Sequence, residues 1–262
     1  VLAKKNKKIL GVQTFITQSH YDSKLPKNQI FLTLFRCLED SKPGIGLKIY
    51  KTVVKKYNPE FIGTTGFDSK MTSFHKWQGY KIGLMNHYVA LSSIKKNYII
   101  AKIPKKFKKY MTKKNVFCNY KKLDLNNIDK LTDSKLYTYQ IPTKSNTFIK
   151  NRFMKHPIYK YLVYAAIKNN KAVALCVLRI IKKSRNTVIK LVDFIGQGKF
   201  FTLFNNLFIT LLKKYSAEYI DFYSFGIKLD YIKKAGFINV KKYKDLIIPE
   251  YFEPFVRSNI DL

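Results

Sequence analysis

Arginine and acidic side chains are scarce in this chain. Of its 50 basic residues only five are arginine, against 16 Asp and Glu, so the formal net charge is +34. Such a charge predicts a polyanionic partner, such as nucleic acid or an anionic membrane surface. Arginine, however, is the residue that makes bidentate contacts to phosphates and base edges. Because Lys, Asn, Ile, Tyr and Phe are abundant together, as AT-rich coding produces, we interpret most of the charge as solvated surface and expect no specific DNA binding.

Cysteines, histidines and long apolar runs are also few. The three cysteines form no CxxC pair and their number is odd, which argues against a disulfide framework and favours a reducing compartment. The four histidines show no metal-ligand spacing, so no metal site is predicted. No apolar run approaches the roughly 20 residues of a membrane span. We expect a cytoplasmic protein, with peripheral association at the inner face of an anionic membrane as an option.

Hydrophobic periodicity predicts strands alternating with helices, in an order that occurs twice. This indicates an α/β (α+β) fold of two tandem units with mixed sheets and flanking helices. The expected domains are 1–102, which looks incomplete at its start, and 116–262, joined by a basic linker at 103–115. The predicted strands cover 9–17, 29–38, 61–65, 80–93, 161–168, 171–181, 187–196, 218–222 and 240–252. The predicted helices cover 47–57, 69–78, 124–133, 145–154, 200–215 and 228–235.

A glycine-containing turn connects the second strand to the first helix. Gly44 and Gly46 lie where the first backbone N–H groups of that helix have no internal partner. The helix dipole adds about half a positive charge there. Two residues without a Cβ let an anionic ligand approach the backbone, so the turn predicts a phosphate cradle. It is neither a Walker loop nor a dinucleotide fingerprint, and a plain strand-to-helix connection is the alternative.

Three motifs make the chain similar to the GNAT acyltransferase superfamily. Residues 41–47 (SKPGIGL) resemble its pyrophosphate loop, Gln/Arg-x-x-Gly-x-Gly/Ala, although Ser41 replaces the first residue. Residues 74–80 and 231–237 resemble its later Tyr-x-x-x-Gly-Phe helix end. Further segments resemble tandem GNAT-fold proteins encoded in bacterial lipopolysaccharide and capsule loci. These are residues 21–26, 86–88, 151–161, 192–196 and 248–255.

The resemblance implies an acyl-CoA-dependent N-acyltransferase, in the first instance an acetyltransferase using acetyl-CoA. Its expected acceptor is a nucleotide- or lipid-linked amino sugar of a bacterial surface polysaccharide. His75 would supply the proton for the leaving thiolate. Asp193 is a further catalytic candidate, either as a ligand of the acceptor amine or as a base, and His87 is a candidate for the general base. The implied acyl-CoA contacts are Leu34, Phe35, Arg36, Ser41, Lys42, Gly44, Ile45 and Gly46.

Several alternatives stay open at this stage. A peptidoglycan-bridge-type aminoacyl transferase also uses two GNAT units, and its aminoacyl-tRNA would account for the charge. A non-catalytic basic binding protein is a third class, with binding that depends steeply on salt. For Asp193 an ion pair with Arg152 or Arg179 competes with a catalytic role. The second half lacks a convincing glycine turn, and Ile232 stands where its proton donor would be, so we expect that half to be degenerate in cofactor binding.

Overall fold

Two sheets with helices packed against them make up the structure, a computed structural model. It describes residues 1–67, 69–95, 97–104, 107 and 118–249. The chain divides into two compact units, called unit one and unit two below. Unit one consists of Val1–Gln78 and Gln140–Arg152, and unit two of Gly79–Tyr139 and Phe153–Leu262.

Unit one contains a four-stranded sheet in the order β1-β2-β3-β4. The first three strands are antiparallel, and β3 pairs with β4 in parallel. The 13-residue helix α1 makes the β3-to-β4 connection, and a short helix α2 follows β4. The elements are β1 (Leu2–Lys5), β2 (Lys8–Thr17), β3 (Gln29–Cys37), α1 (Ile45–Tyr57), β4 (Phe61–Gly63) and α2 (Thr72–Trp77).

Helix α1 forms because its apolar residues recur at helical spacing and bury one face. Ile49, Tyr50 and Val53 are buried, while the lysines between them lie toward solvent. The helix begins after Gly44, whose φ of 85° suits glycine, and no side chain caps this end. It ends at Asn58 in the left-handed region, where the Asn58 N–H donates to the Val54 carbonyl.

Strands β2 and β3 contain a bulge near the middle of their pairing. The register passes from Gln13 opposite Phe35 to Phe15 opposite Leu32, so β3 has one residue more than β2. The Thr14 hydroxyl accepts a hydrogen bond from the Leu34 N–H at 2.9 Å, in place of a ladder partner. A bulge twists the strand and takes backbone groups out of the regular ladder.

Unit two contains a seven-stranded mixed sheet in the order β11-β5-β10-β9-β8-β7-β6. Among the strands that the structure describes in this unit, β9 and β10 alone pair in parallel. Their connection contains α5, which continues a 3₁₀ segment at Gly198–Phe204. The strands are β5 (Asn86–Leu91), β6 (Asn119–Leu123), β7 (Tyr161–Lys168), β8 (Lys171–Lys183), β9 (Asn186–Gly196), β10 (Tyr219–Ser224) and β11 (Ile238–Asn239). The helices are α3 (Ile128–Leu131), α5 (Asn205–Lys214) and α6 (Leu229–Lys234), while α4 (Asn146–Ile149) belongs to unit one.

Both faces of this larger sheet are buried. One face packs on α5 and the 3₁₀ segment before it through a cluster of phenylalanines that includes Phe201, Phe204 and Phe208. The other face is covered by the segment around Ile100 and by Val240 and neighbouring residues. Central strands therefore read as nearly continuous apolar runs, as β7 and β8 do.

A carboxylate clamps the segment that crosses the second face. Glu218 is fully buried, and its two oxygens accept hydrogen bonds from the N–H groups of Ile99, Ile100 and Ala101 at 2.9–3.1 Å. Burial, with a smaller contribution from the charge of Glu218, raises the pKa of Tyr98 to about 12. The clamp fixes the turn between β5 and the covering segment.

Unit one is completed by a segment from much later in the chain. Ser145 donates from Oγ to Asp22 at 2.5 Å, and the Thr143 N–H donates to the Gln29 side chain at 2.6 Å. Arg152 donates to the Tyr21 hydroxyl at 2.5 Å and lies over its ring. Tyr21 and Arg152 each belong to a segment that carries the family resemblance, and the two side chains are in contact.

Most of the predicted elements are present, and the differences have physical reasons. The predicted helix at 200–215 begins as a 3₁₀ segment, and the structure adds β1, whose alternation is too short to detect. The prediction of strand over 240–252 is wrong for its described part, because Val240–Lys242 forms a 3₁₀ turn and Ile247 makes only an isolated bridge to Lys102.

The compact units divide at other positions than the domains predicted at 1–102 and 116–262. β5 pairs with β10 along its whole length, so it belongs to the second sheet. Most of the expected linker at 103–115 and the end of the last resemblance segment lie outside the described residues. No helix among the described residues is long and apolar enough to cross a membrane.

Candidate active site

A cleft of about 590 Å³ opens in unit one where β3 and β4 diverge. The two strands pair only from Gln29 to Phe31 on β3, whereas β2 pairs with β3 as far as Cys37. Among the described residues, the β4-facing edge of β3 beyond Phe31 has no strand partner. The cleft is lined mainly by apolar and aromatic side chains, among them Leu32, Phe35, Leu47, Tyr50, Phe74 and Trp77.

The glycine turn lies at the wall of this cleft, as the sequence predicts. Gly44 and Gly46 both line it. A Cβ on Gly46 would lie 2.8 Å from Cζ of Phe35, whereas one on Gly44 would meet nothing within 4 Å. Gly46 therefore allows close packing of α1 on β3, and Gly44 supplies the left-handed backbone at the helix start. The start of α1 and the unpaired edge of β3 thus border the same space.

The other predicted acyl-CoA residues are distributed unevenly around the turn. Phe35 lines the cleft with Gly44 and Gly46. The Ser41 hydroxyl is turned back onto the chain, donating to the Leu38 carbonyl at 2.6 Å. The remaining members of the predicted set are not among the residues that line the cleft. These are Leu34, Arg36, Lys42 and Ile45.

His75 lines the cleft from α2. Its ring makes edge contacts with Phe67 at 4.8 Å and Phe74 at 5.5 Å between centroids. Burial lowers the pKa of His75 from its ordinary value. The imidazole is therefore mostly neutral at neutral pH, which is the form that can accept a proton.

The three predicted catalytic residues are distributed over the two units. His75 belongs to unit one, whereas His87 and Asp193 belong to the sheet of unit two. His87 is buried on β5, with Nε2 at 2.6 Å from Oδ2 of Asp221 and its ring stacked on Tyr223. Lys190 donates to the same Asp221 oxygen at 2.5 Å.

Asp193 is half-buried on β9. Its charge adds to burial, the larger cause, in raising the pKa of the Cys176 thiol on the neighbouring strand. Of the two arginines considered as partners, Arg179 lies over the ring of Tyr159 at 3.6 Å and Arg152 contacts Tyr21. The described residues contain no cluster of three or more His, Cys, Asp or Glu able to hold a metal ion.

Gln13 is a polar residue of the cleft that the sequence motifs do not predict. Gln13 lines the cleft and is 3% exposed. Its Nε2 donates to the Thr14 carbonyl at 2.8 Å and the Leu34 carbonyl at 3.2 Å, across the bulge. The signal in the sequence is slight: one glutamine that precedes Thr14 and interrupts the apolar residues of β2.

Comparison with known proteins shows the fold. No family model matches the chain, and no curated protein matches it. An Enterococcus faecalis protein of unknown function, described as a probable N-acyltransferase, superposes with a TM-score of 0.50 at 9% identity, over 88% of this chain and 57% of that one. Saccharomyces cerevisiae N-myristoyltransferase with bound myristoyl-CoA matches at TM-score 0.45 and 9% identity, over 89% of this chain and 63% of that one.

A glucosamine N-acetyltransferase region in a fungal multi-domain β-N-acetylglucosaminidase matches at TM-score 0.49 and 14% identity, over 88% of this chain and 30% of that one. The chain thus spans under two thirds of the length of each of these three structures. The likeness to the enterococcal protein confirms the predicted fold class: sheets flanked by helices in the arrangement of GNAT-type acyltransferases, with two sheets as expected for tandem units.

Proposed function

We propose that the protein is an acyl-CoA-dependent N-acyltransferase and that the cleft of unit one is its active site. The observation that carries this proposal is the placement of the glycine turn of α1, the unpaired edge of β3 and His75 around one cleft. The fold shared with a probable N-acyltransferase supports it. The co-substrate supplies an activated thioester, and the chain supplies binding, positioning and proton transfer.

Each part of the donor has a matching surface. The first backbone N–H groups of α1 lie beside Gly44 and Gly46, where the helix dipole favours the pyrophosphate. The open edge of β3 offers main-chain groups to the amides of the pantetheine arm, as an added strand would. The apolar wall formed by Leu32, Phe74 and Trp77 excludes water from the thioester.

The chemistry needs one base and no covalent enzyme intermediate. The acceptor amine attacks the thioester carbon, so a C–N bond forms, the C–S bond breaks and the electron pair leaves with sulfur. Neutral His75 accepts the proton that the amine loses, and the imidazolium then protonates the thiolate. The proton lost by the amine therefore ends on the thiol of CoA, and no other reactant is needed.

The acceptor that we propose is an amino sugar, nucleotide- or lipid-linked, of a bacterial surface polysaccharide. The family resemblance supports this class, as does the need for a neutral primary amine. Unit two contributes no second centre in this proposal. In unit two the helix after β9 is preceded by a 3₁₀ segment with the fully buried Phe201 and Phe204, where unit one has its glycine turn.

Calorimetry with acetyl-CoA at low salt tests the donor site, and thiol release with glucosamine as acceptor tests transfer. We expect acetyl-CoA to bind and Gly46→Ala to weaken its binding. Gly63→Ala is the control, because its added Cβ would also lie 2.9 Å from a phenylalanine ring, that of Phe61, while Gly63 is not among the residues that line the cleft. Absence of CoA binding would sink the proposal. Copurification of tRNA without CoA binding would favour the aminoacyl transferase instead.

A further inference from the structure

Gln13 has one hydrogen-bonding group left for a ligand. Both Nε2 protons are used, one on the Thr14 carbonyl and one on the Leu34 carbonyl. Because both partners are carbonyl oxygens, the nitrogen must face them, and the orientation of the amide is fixed without ambiguity. Oε1 makes no hydrogen bond to any residue that the structure describes. It is an acceptor on a side chain that lines the cleft.

An amide oxygen discriminates between ligand groups by whether they can donate a hydrogen bond. It accepts hydrogen bonds and cannot donate, so it would repel the carbonyl oxygen of a thioester. It attracts an N–H or an ammonium group instead, and a hydrogen bond to a charged group in a dry site is worth more than one in water. The side chain starts from β2, beside the bulge of β3 and the point where β3 and β4 separate.

We propose that Oε1 of Gln13 binds the acceptor amine of this reaction, which rests on the proposed acyl-CoA function. With one N–H held by Oε1, the nitrogen directs its lone pair toward the thioester carbon while His75 takes the proton. The acceptor must therefore be an amine with at least two N–H bonds, one that donates to Oε1 and one whose proton is transferred to His75. Primary amines fit this requirement, and tertiary amines and hydroxyl acceptors do not.

Two CoA thioethers test the proposal without knowledge of the natural acceptor. S-ethyl-CoA fills the donor site alone, and S-(2-aminoethyl)-CoA adds an ammonium group just beyond the sulfur. Trp77 is the only tryptophan of the chain and lines the cleft, so its fluorescence reports binding, with calorimetry as a second measurement. We expect the amino compound to bind about tenfold more tightly, the effect of one hydrogen bond to a charged group.

Variants separate the role of Oε1 from support of the bulge. Gln13→Met removes Oε1 together with both Nε2 contacts and should abolish the preference for the amino compound. Thr14→Val removes another bulge contact, the Thr14 hydroxyl that accepts from Leu34, and should leave the preference unchanged.

The outcomes are distinguishable. If S-ethyl-CoA does not bind, the acyl-CoA function itself fails. If S-ethyl-CoA binds but the two thioethers bind equally, or if Gln13→Met weakens both to the same degree, the role of Gln13 is overturned. In the second case Oε1 would serve the pantetheine amides or the fold rather than the acceptor.

Discussion

His75 is held against two aromatic rings at the wall of the cleft, and burial lowers its pKa below the ordinary value of about 6.5. A base with a lowered pKa is active above that pKa and protonated below it. The rate should therefore rise with pH through a point below 6.5 and be level at neutral pH. Thiol release measured across pH checks this.

Replacing His75 by Asn should lower kcat by about 10²-fold or more near neutral pH and remove the acid limb of the profile. His20→Asn is the matched control, because His20 lies in unit one but outside the cleft lining. An unchanged acid limb in the His75 variant would assign the limb to another group.

Replacing Gly46 is expected to affect acetyl-CoA binding by displacing the neighbouring side chain of Phe35. The added Cβ would lie 2.8 Å from Cζ of Phe35, a side chain that is 42% exposed and can move. In Gly46→Ala the ring should shift into the cleft and weaken acetyl-CoA binding by about tenfold, or ~1.4 kcal/mol. The double variant with Phe35→Leu, which removes the obstructing ring, should recover most of the loss in calorimetry.

The sequence carries different amounts of information about these residues. Gly44 and Gly46 can be found because a phosphate turn needs small residues at fixed spacing before a helix. His87 has the same residue type as His75, but only the pairing of β5 with β10 shows that it is buried against Asp221. Gln13 could not be identified, because its role depends on a bulge created by the register of two strands.

At the scale of elements, the clamp made by Glu218 holds the segment that covers the second face of the larger sheet. Glu218→Gln replaces an acceptor-only carboxylate with an amide whose NH₂ group faces backbone donors. Leaving buried N–H groups without acceptors costs about 1–3 kcal/mol each. We expect a loss of at least about 2 kcal/mol in the free energy of unfolding, measured by far-UV circular dichroism in denaturant.

Glu60→Gln serves as the control for the loss of one negative charge, since Glu60 is exposed. Equal effects of the two substitutions would mean that net charge, rather than the clamp, accounts for the change. A shift in the slope with denaturant instead of the midpoint would point to a change in the unfolded state.

Elements with long, regular periodicity, such as α1, β7 and β8, were predictable because their own residues decide them. The sheet to which β5 belongs was not predictable, since strand pairing joins Asn86–Leu91 to residues more than a hundred positions away. The wrong strand over 240–252 has the opposite cause. Val240 and Ile248 are apolar because they cover a sheet face. Apolar residues buried in a turn give the same sequence pattern as the buried residues of a strand.

For the whole molecule, a net charge of +34 implies self-repulsion in the folded state. Raising the ionic strength from 0.01 M to 0.15 M shortens the screening length from about 30 Å to about 8 Å. The thermal unfolding midpoint should therefore rise with added KCl. NaCl at the same ionic strength should give the same rise, because screening does not depend on the identity of the cation. A flat or falling midpoint would show that the lysines are already compensated.

Because unit one includes Gln140–Arg152, it cannot finish folding during synthesis until this later segment has been made. Its contacts to Tyr21, Asp22 and Gln29 cannot form until the ribosome has made Arg152, 74 residues after Gln78. At translation speeds of about 5–20 residues per second, unit one waits roughly 4–15 s for its last piece. An expression fragment that ends near Gln78 would contain the glycine turn and the cleft residues. It would still lack the contacts to Tyr21, Asp22 and Gln29 that Gln140–Arg152 supplies, so unit one could not complete its fold.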